Sequence, residues 1–376
     1  FRKRIGWLGF GWFWFLFSLA PNSLIPLNVI ANEERIYFSS LGIILIGAIF
    51  FEKVISYQKR VGYFCYSLIL IFHLLLLENR ILVFRDEFSL WQDAIYKAPE
   101  LSNCYVMYGN ALAQKGRKAL ALNFYQTALL YEPDNSQAIA GIAKLYLLDN
   151  QPELVGKVAE KYLAIAEHPT QKAEAFSYLA LSALEEERFE EAEALARKAI
   201  ENDPRWPDAY LILARIYYLK NTKALAEQYA LKAVELDPEM DLAQGLLGLI
   251  LAEAGKIDEA IPHLEKAVAL NPNNAPGWLN LGLAYFQKGD LNRSRQALKQ
   301  AISHKRGYAL AHYHLGLVEY QAFNYDKAES ELELCLELDP DFIPAHFAYA
   351  QLLLSRLETI KFLNSEAREK FIETIE

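Results

Sequence analysis

The residues best suited to chemistry in this chain are few and scattered. His312 and His346 lie 34 residues apart, with His314 beside the first. A fold repeating at that interval would stack them, and three imidazoles within reach can hold a transition metal. No cysteine or carboxylate accompanies them at a fixed spacing, and packing positions of a repeat carry the same pattern, so no metal ligand is assigned. Cys65, Cys104 and Cys335 are too far apart for a metal knuckle or a redox pair and read as small buried side chains. They give no disulfide framework, which leaves an oxidising compartment open. Glu33, Glu34 and Arg35 stand together beside a long apolar run. Charges there either solvate a membrane boundary or form a site at its surface, where an Arg fork grips a lipid phosphate. His73 lies inside another apolar run, where a lone imidazole fits a hydrogen bond to a neighbouring helix better than a proton relay. The sequence contains no phosphate-cradling Gly-rich loop, no nucleophile elbow and no metalloprotease helix. No catalytic residue and no cofactor is therefore assigned.

The elements that must position these residues divide after Arg85. Up to there, nine Lys and Arg stand against four Asp and Glu; the whole chain carries −9, so the remainder carries −14. That acidic remainder excludes a nucleic-acid binder, because phosphate backbones require positive partners. Three apolar runs, at 5–19, 36–51 and 61–77, lie in the first part. A bilayer crossing needs about 20 apolar residues, and the interfacial side chains Trp12, Trp14 and Tyr37 lengthen the shorter runs. Residues 1–85 are thus expected to form about three transmembrane helices. The chain opens on Phe1, so it is expected to be processed or to be part of a longer one; residues 1–22 have the basic start of a signal peptide, but the further runs favour a membrane region. Arg2, Lys3 and Arg4, and then Lys53, Lys59 and Arg60, mark the cytoplasmic side. Everything after residue 77 is then expected on the periplasmic, extracellular or lumenal side of an integral membrane protein.

Prolines set the rhythm of the second part. Pro99 and Pro133 are 34 apart; Pro204, Pro238 and Pro272 keep that interval; Pro340 follows 68 later, with Arg306 at the midpoint. Pro169 fits with intervals of 36 and 35, as if a small insertion lay near 150–152. Counted from 31 residues before each proline, position 8 is always Gly or Ala: Gly109, Ala143, Ala180, Ala214, Gly248, Gly282 and Gly316. Position 20 shows Ala121, Ala192, Ala226, Ala260 and Ala328, and position 27 shows Ala128, Ala199, Ala233, Ala267 and Ala301. Small residues at fixed phase let paired helices cross closely. A 34-residue period of this kind resembles the tetratricopeptide repeat. The fold class expected is all-α, with the membrane helices followed by a right-handed superhelical solenoid. Its domains are 1–85 in the membrane; 86–340 as about seven repeats led by an orphan second helix at 86–98; and 341–376 as an eighth first helix with a cap.

In such an array, first-helix positions 2, 5, 9 and 12 line a concave groove. They include Leu211, Arg215 and Tyr218, then Leu279, Phe286, Tyr313, Leu317, Tyr320 and Phe347. That lining is aromatic and apolar with few cations, unlike the Lys/Asn clamps that hold a peptide carboxylate. It suits an apolar or helical segment of a protein partner. The alternative occupant is the chain's own tail, with Phe362, Leu363, Phe371 and Ile372.

The segments ANEERIYFSSLG (31–42) and ENRILVFRDEFSLWQDAIYKAPELSNCYVMYGNAL (78–112) carry a further likeness. An outer loop ending in Glu-Arg-x-aromatic, two spans around a basic turn and a repeat array together resemble the transmembrane-and-TPR-containing O-mannosyltransferases and their bacterial relatives, polytopic glycosyltransferases of the GT-C superfamily. The resemblance covers the whole chain as the C-terminal portion of such an enzyme. It implies sugar transfer from a polyprenyl-phosphate donor to an acceptor protein, with the catalytic acidic residue in a loop that this sequence does not contain. It carries over only Glu34 and Arg35, in the loop facing the donor. Ser39 and Ser40 stand where the family tends to have a proline, a departure from its motif. The expected function is the C-terminal part of a membrane glycosyltransferase whose array binds acceptor or partner proteins; the alternative is a non-catalytic membrane-anchored scaffold that holds a subunit of a complex.

Overall fold

The computed structural model describes residues 86–362, with side chains to Leu357. The expected spans, Glu34, Arg35, Cys65, His73 and the tail at 363–376 lie outside the described residues. Sixteen helices fill the described chain, and none is long and apolar enough to cross a membrane. The chain divides into two compact units, with the border between Ile165 and Ala166.

In the first unit, α1 (Glu87–Lys97) is the orphan second helix, capped by the Asp86 carboxylate, which accepts from the Ser89 amide at 2.8 Å. Two helix pairs follow: α2 (Ser102–Gln114) with α3 (Lys118–Tyr131), and α4 (Ser136–Leu148) with α5 (Pro152–Ile165). Val106, Leu112, Tyr125 and Ala128 form their shared core with α4 residues Ala138 and Leu145.

The second unit begins with α6 (Pro169–Glu185) and α7 (Phe189–Asn202). Then come α8 (Pro207–Leu219) and α9 (Lys223–Leu236), α10 (Asp241–Glu253) and α11 (Ile257–Leu270), α12 (Ala275–Lys288) and α13 (Leu291–His304), α14 (Ala309–Gln321) and α15 (Tyr325–Leu338), and finally α16 (Ile343–Phe362). The insertion expected near 150–152 is elsewhere. The turn there has ordinary length, and the extra residues are an added turn at the front of α6, which Pro169 opens. Proline fits the first helical position because its missing N–H has no partner to lose there. Pro169 therefore starts a helix instead of closing a repeat.

Two local devices fix each pair, and a third joins five of the repeats to the one before. Position 15 takes a left-handed residue in all seven repeats: Gly116, Asn150, Glu187, Asn221, Gly255, Gly289 and Phe323. That reverses the chain between the two helices. Position 8 then meets position 24, and the two sizes are matched. A Cβ on Gly109 would lie 2.7 Å from the Tyr125 ring, and on Gly248, Gly282 or Gly316 within 2.6–2.9 Å of Cγ of Leu264, Leu298 or Leu332. Where position 8 is Ala143, Ala180 or Ala214, position 24 is Ala159, Ala196 or Ala230, each fully buried. The third device joins repeats at position 4. The ends of Tyr105, Tyr210, Gln244, Trp278 and His346 each donate to the carbonyl of the proline six residues earlier, at 2.7–3.0 Å.

Candidate functional site

Within each unit the first helices of successive repeats touch one another as well as their own second helices. Their inward positions therefore form a continuous strip, and the strip is cross-linked. Arg215 on α8 meets Glu185 at the end of α6 at 3.0 Å. Tyr218, three residues on, donates to Glu253 on α10 at 2.5 Å. Glu253 also takes Lys223 at 3.1 Å. Burial, then the Glu253 hydrogen bond, pushes the Tyr218 phenol up to about 12. Further along, the Tyr320 hydroxyl on α14 meets the Ser355 hydroxyl on α16 at 2.8 Å. Position 12 of one repeat thus reaches position 13 of the next.

The remaining residues expected in the groove separate into three classes. Phe286, Leu317 and Tyr313 are half-buried, with one side open. Tyr313 stands edge-on to His314 and to Phe342, with centroids 4.8 and 5.2 Å away. Phe347 is 74% exposed. Leu279 and Leu211 belong to the interior: Leu279 is 4% exposed among Leu298, Ala301 and Leu315, and Leu211 packs on Ala233 and Ala243. Position 5 faces the neighbouring pair there, so these two leucines stabilise the stack instead of lining an open surface.

The three histidines do not converge. The His312 ring Nδ1 lies 2.7 Å from Glu331, and His346 uses Nε2 on the Pro340 carbonyl. Burial pushes the His314 imidazole down to about 4. Among the described residues no three metal-binding side chains cluster. Cys104 and Cys335 are free and buried, and burial raises both thiols. Such thiols are poor nucleophiles at neutral pH.

Two features escaped the sequence reading. A shallow cleft of about 630 Å³ lies between α11, α12 and α13, lined by Val268, Trp278, Leu281 and Tyr285, with Glu265 and Arg293 at its polar edge. Buried charge is the second. Glu319, 3% exposed at its side chain, accepts two hydrogen bonds from Arg295, at 2.6 and 3.0 Å. Arg356, 7% exposed, pairs with Glu329 at 2.7 Å and with Asp326. Both pairs join a second helix to the next first helix. For Glu319 the signal was a charge at the otherwise apolar or aromatic position 11, which a period of small residues does not reveal; Arg356 stands at position 14, where Lys115 and Lys220 also stand, and gave no signal.

Profiles described as TPR repeat match 248–289 and 282–322, and profiles described as tetratricopeptide repeat match 102–135, 179–241 and 309–342. The chain is 25% identical over 221 residues to the protein O-mannosyl-transferase Tmtc3 of Drosophila melanogaster, covering 54% of this chain and 23% of that protein. To human protein O-mannosyl-transferase TMTC3 it is 23% identical over 229 residues, 56% of this chain and 25% of that protein. The matched stretch is thus about a quarter of the length of these relatives. Among solved structures, the APC/C hetero-tetramer Cut9–Hcn1 superposes with a TM-score of 0.57 at 19% identity, over 70% of this chain and 52% of that one. This last likeness is one of fold. Helix pairs, period and profile matches agree: the described residues form an all-α tetratricopeptide-repeat array.

Proposed function

We propose that the array holds a protein or peptide segment along the first helices of its last repeats, and does so as the extracytoplasmic part of a membrane glycosyltransferase that uses a polyprenyl-phosphate sugar. Repeats of this family generally serve protein and peptide partners. The half-open apolar strip Phe286, Tyr313 and Leu317 is the observation that carries the first half, because neighbouring positions are closed by hydrogen bonds and these are not. The second half rests on the relatives named O-mannosyl-transferase and on the apolar runs before residue 85. In this reading Glu34 and Arg35 face the donor, with the Arg35 fork on its phosphate. No nucleic acid is involved, since the array is acidic.

The test is transfer of labelled mannose from a polyprenyl-phosphate donor to a protein acceptor by the whole gene product in membranes. Leu317→Glu is expected to lower transfer to the protein acceptor at least fivefold, and Arg35→Ala to lower it for every acceptor. Full activity in Arg35→Ala removes the donor-side assignment. No transfer by the wild type removes the enzyme and leaves the membrane-anchored scaffold.

A further inference from the structure

The last described helix differs from every first helix before it. Each of those stops before a left-handed residue at position 15. α16 runs for 20 residues and is still helical at Leu357, its position 15. It presents two opposite stripes. Ala345, Leu352 and Arg356 are buried against the preceding pair. Ile343, Phe347, Ala350, Leu354 and Leu357 face outward, and the four large ones are 65%, 74%, 62% and 55% exposed.

The spacing of the outward stripe is 4, 3, 4, 3. That is the narrow seam of a coiled coil, which one helix laid alongside covers; a helix sunk into a core carries a broader stripe. The stripe is also self-complementary. Ala350, its smallest member, stands seven residues from each end. Run antiparallel against a copy of itself, Ile343 meets the copy's Leu357, Ala350 meets Ala350, and Phe347 comes level with its Leu353, one residue short of Leu354. Large side chains then flank a small centre through which a two-fold axis passes, the geometry of an isologous contact. Charge agrees. The chain carries an acidic excess after Arg85, so most faces repel a copy. From Phe342 to Leu357 the only Asp, Glu, Lys or Arg is Arg356, and it is buried and paired.

We propose that this stripe is a self-association seam: two copies pair antiparallel through α16 about an axis at Ala350. Four large side chains this exposed offer on the order of 400 Å² per copy, so about 800 Å² in the pair, below the roughly 1,200 Å² of a stable specific interface and in the range of weak, reversible contacts. The dimer is therefore concentration-dependent. It does not require the groove reading above.

Oxidative cross-linking of the full chain in detergent tests it, with the wild-type cysteines as baseline. Ala350→Cys is expected to form a covalent dimer, and an equal mixture of Ile343→Cys and Leu357→Cys chains to form one that neither forms alone. Leu354→Glu added to Ala350→Cys is expected to reduce the dimer at least fivefold. Dimer from Ile343→Cys alone means a parallel pair and overturns the proposal. No dimer from Ala350→Cys overturns it too. So does a monomer in which Leu354→Glu opens residues 363–376 to protease, because the chain's own tail then covers the stripe.

Discussion

Tyr105, Tyr210, Gln244, Trp278 and His346 share little except a donor at the end of a long side chain, and each sets that donor on a proline carbonyl. Ile139 and Phe176, at the same position, have no donor to offer. Where Arg306 replaces the proline, His312 turns away to Glu331. Trp278→Phe keeps an aromatic ring but loses the bond and part of the packing against two core clusters, at an expected cost of at least about 1 kcal/mol in chemical denaturation. Strain gives the opposite sign. Glu187 has φ 58 and a partnerless exposed side chain could gain little there, so Glu187→Gly is expected to stabilise by about 1 kcal/mol, the penalty a Cβ meets in the left-handed region. His314 supplies the pH dependence. Its folded value is lowered by burial from 6.5 to about 4, so the unfolded chain binds the proton first as pH falls. Stability from this site is complete above about pH 6.5 and is lost down to about pH 4, by at most about 3 kcal/mol. Denaturation of the wild type and of His314→Phe at pH 7 and pH 5 is expected to show a smaller acid loss in the variant.

At the scale of the helix pair, the match between positions 8 and 24 explains why the array tolerates two packings. Gly faces Leu or Tyr, and Ala faces Ala, so the summed volume at the crossing stays similar. Gly282→Ala alone pushes a Cβ into Leu298 and is expected to cost about 1–3 kcal/mol. Leu298→Ala alone leaves a cavity and is expected to cost about 2–5 kcal/mol. The double variant recreates the Ala–Ala crossing of α8 and α9, so its cost is expected to fall short of the sum by at least about 1 kcal/mol. Additive costs in a thermal or urea cycle would sink this account. The position-8 column was plain in the sequence, because a close crossing admits only Gly or Ala. Its partner column was equally present but reads as ordinary helix variation until the two are set side by side. The added turn of α6 and the unbroken α16 were hidden for another reason. Both depart from the period, and a period predicts only its own continuation. Whether Tyr218 stays free was not legible, because it depends on Glu253 one repeat later, which no single unit reveals.

The whole array obeys a nearest-neighbour logic. Within each unit, every substantial contact between the described helices is to the helix's own pair or to the adjoining repeat, so stability is a sum of local terms and an injury should stay near its origin. The buried pairs Arg295–Glu319 and Arg356–Glu329 strengthen individual junctions in the second unit without lengthening that reach. Tyr125 is a suitable place to injure. It is 2% exposed, fills the crossing opposite Gly109 and also abuts Gly141 in the next helix pair. Its hydroxyl donates to Asn110 at 2.6 Å. Tyr125→Ala is expected to cost about 3–5 kcal/mol where it acts. Amide hydrogen exchange resolves where that is. Protection is expected to fall across α2, α3 and α4 and to stay unchanged from α8 to α15, because none of those helices shares a contact with the lost ring. An equal fall along the entire chain would mean that the array unfolds as one cooperative body, and the border at Ile165 would then have no energetic meaning.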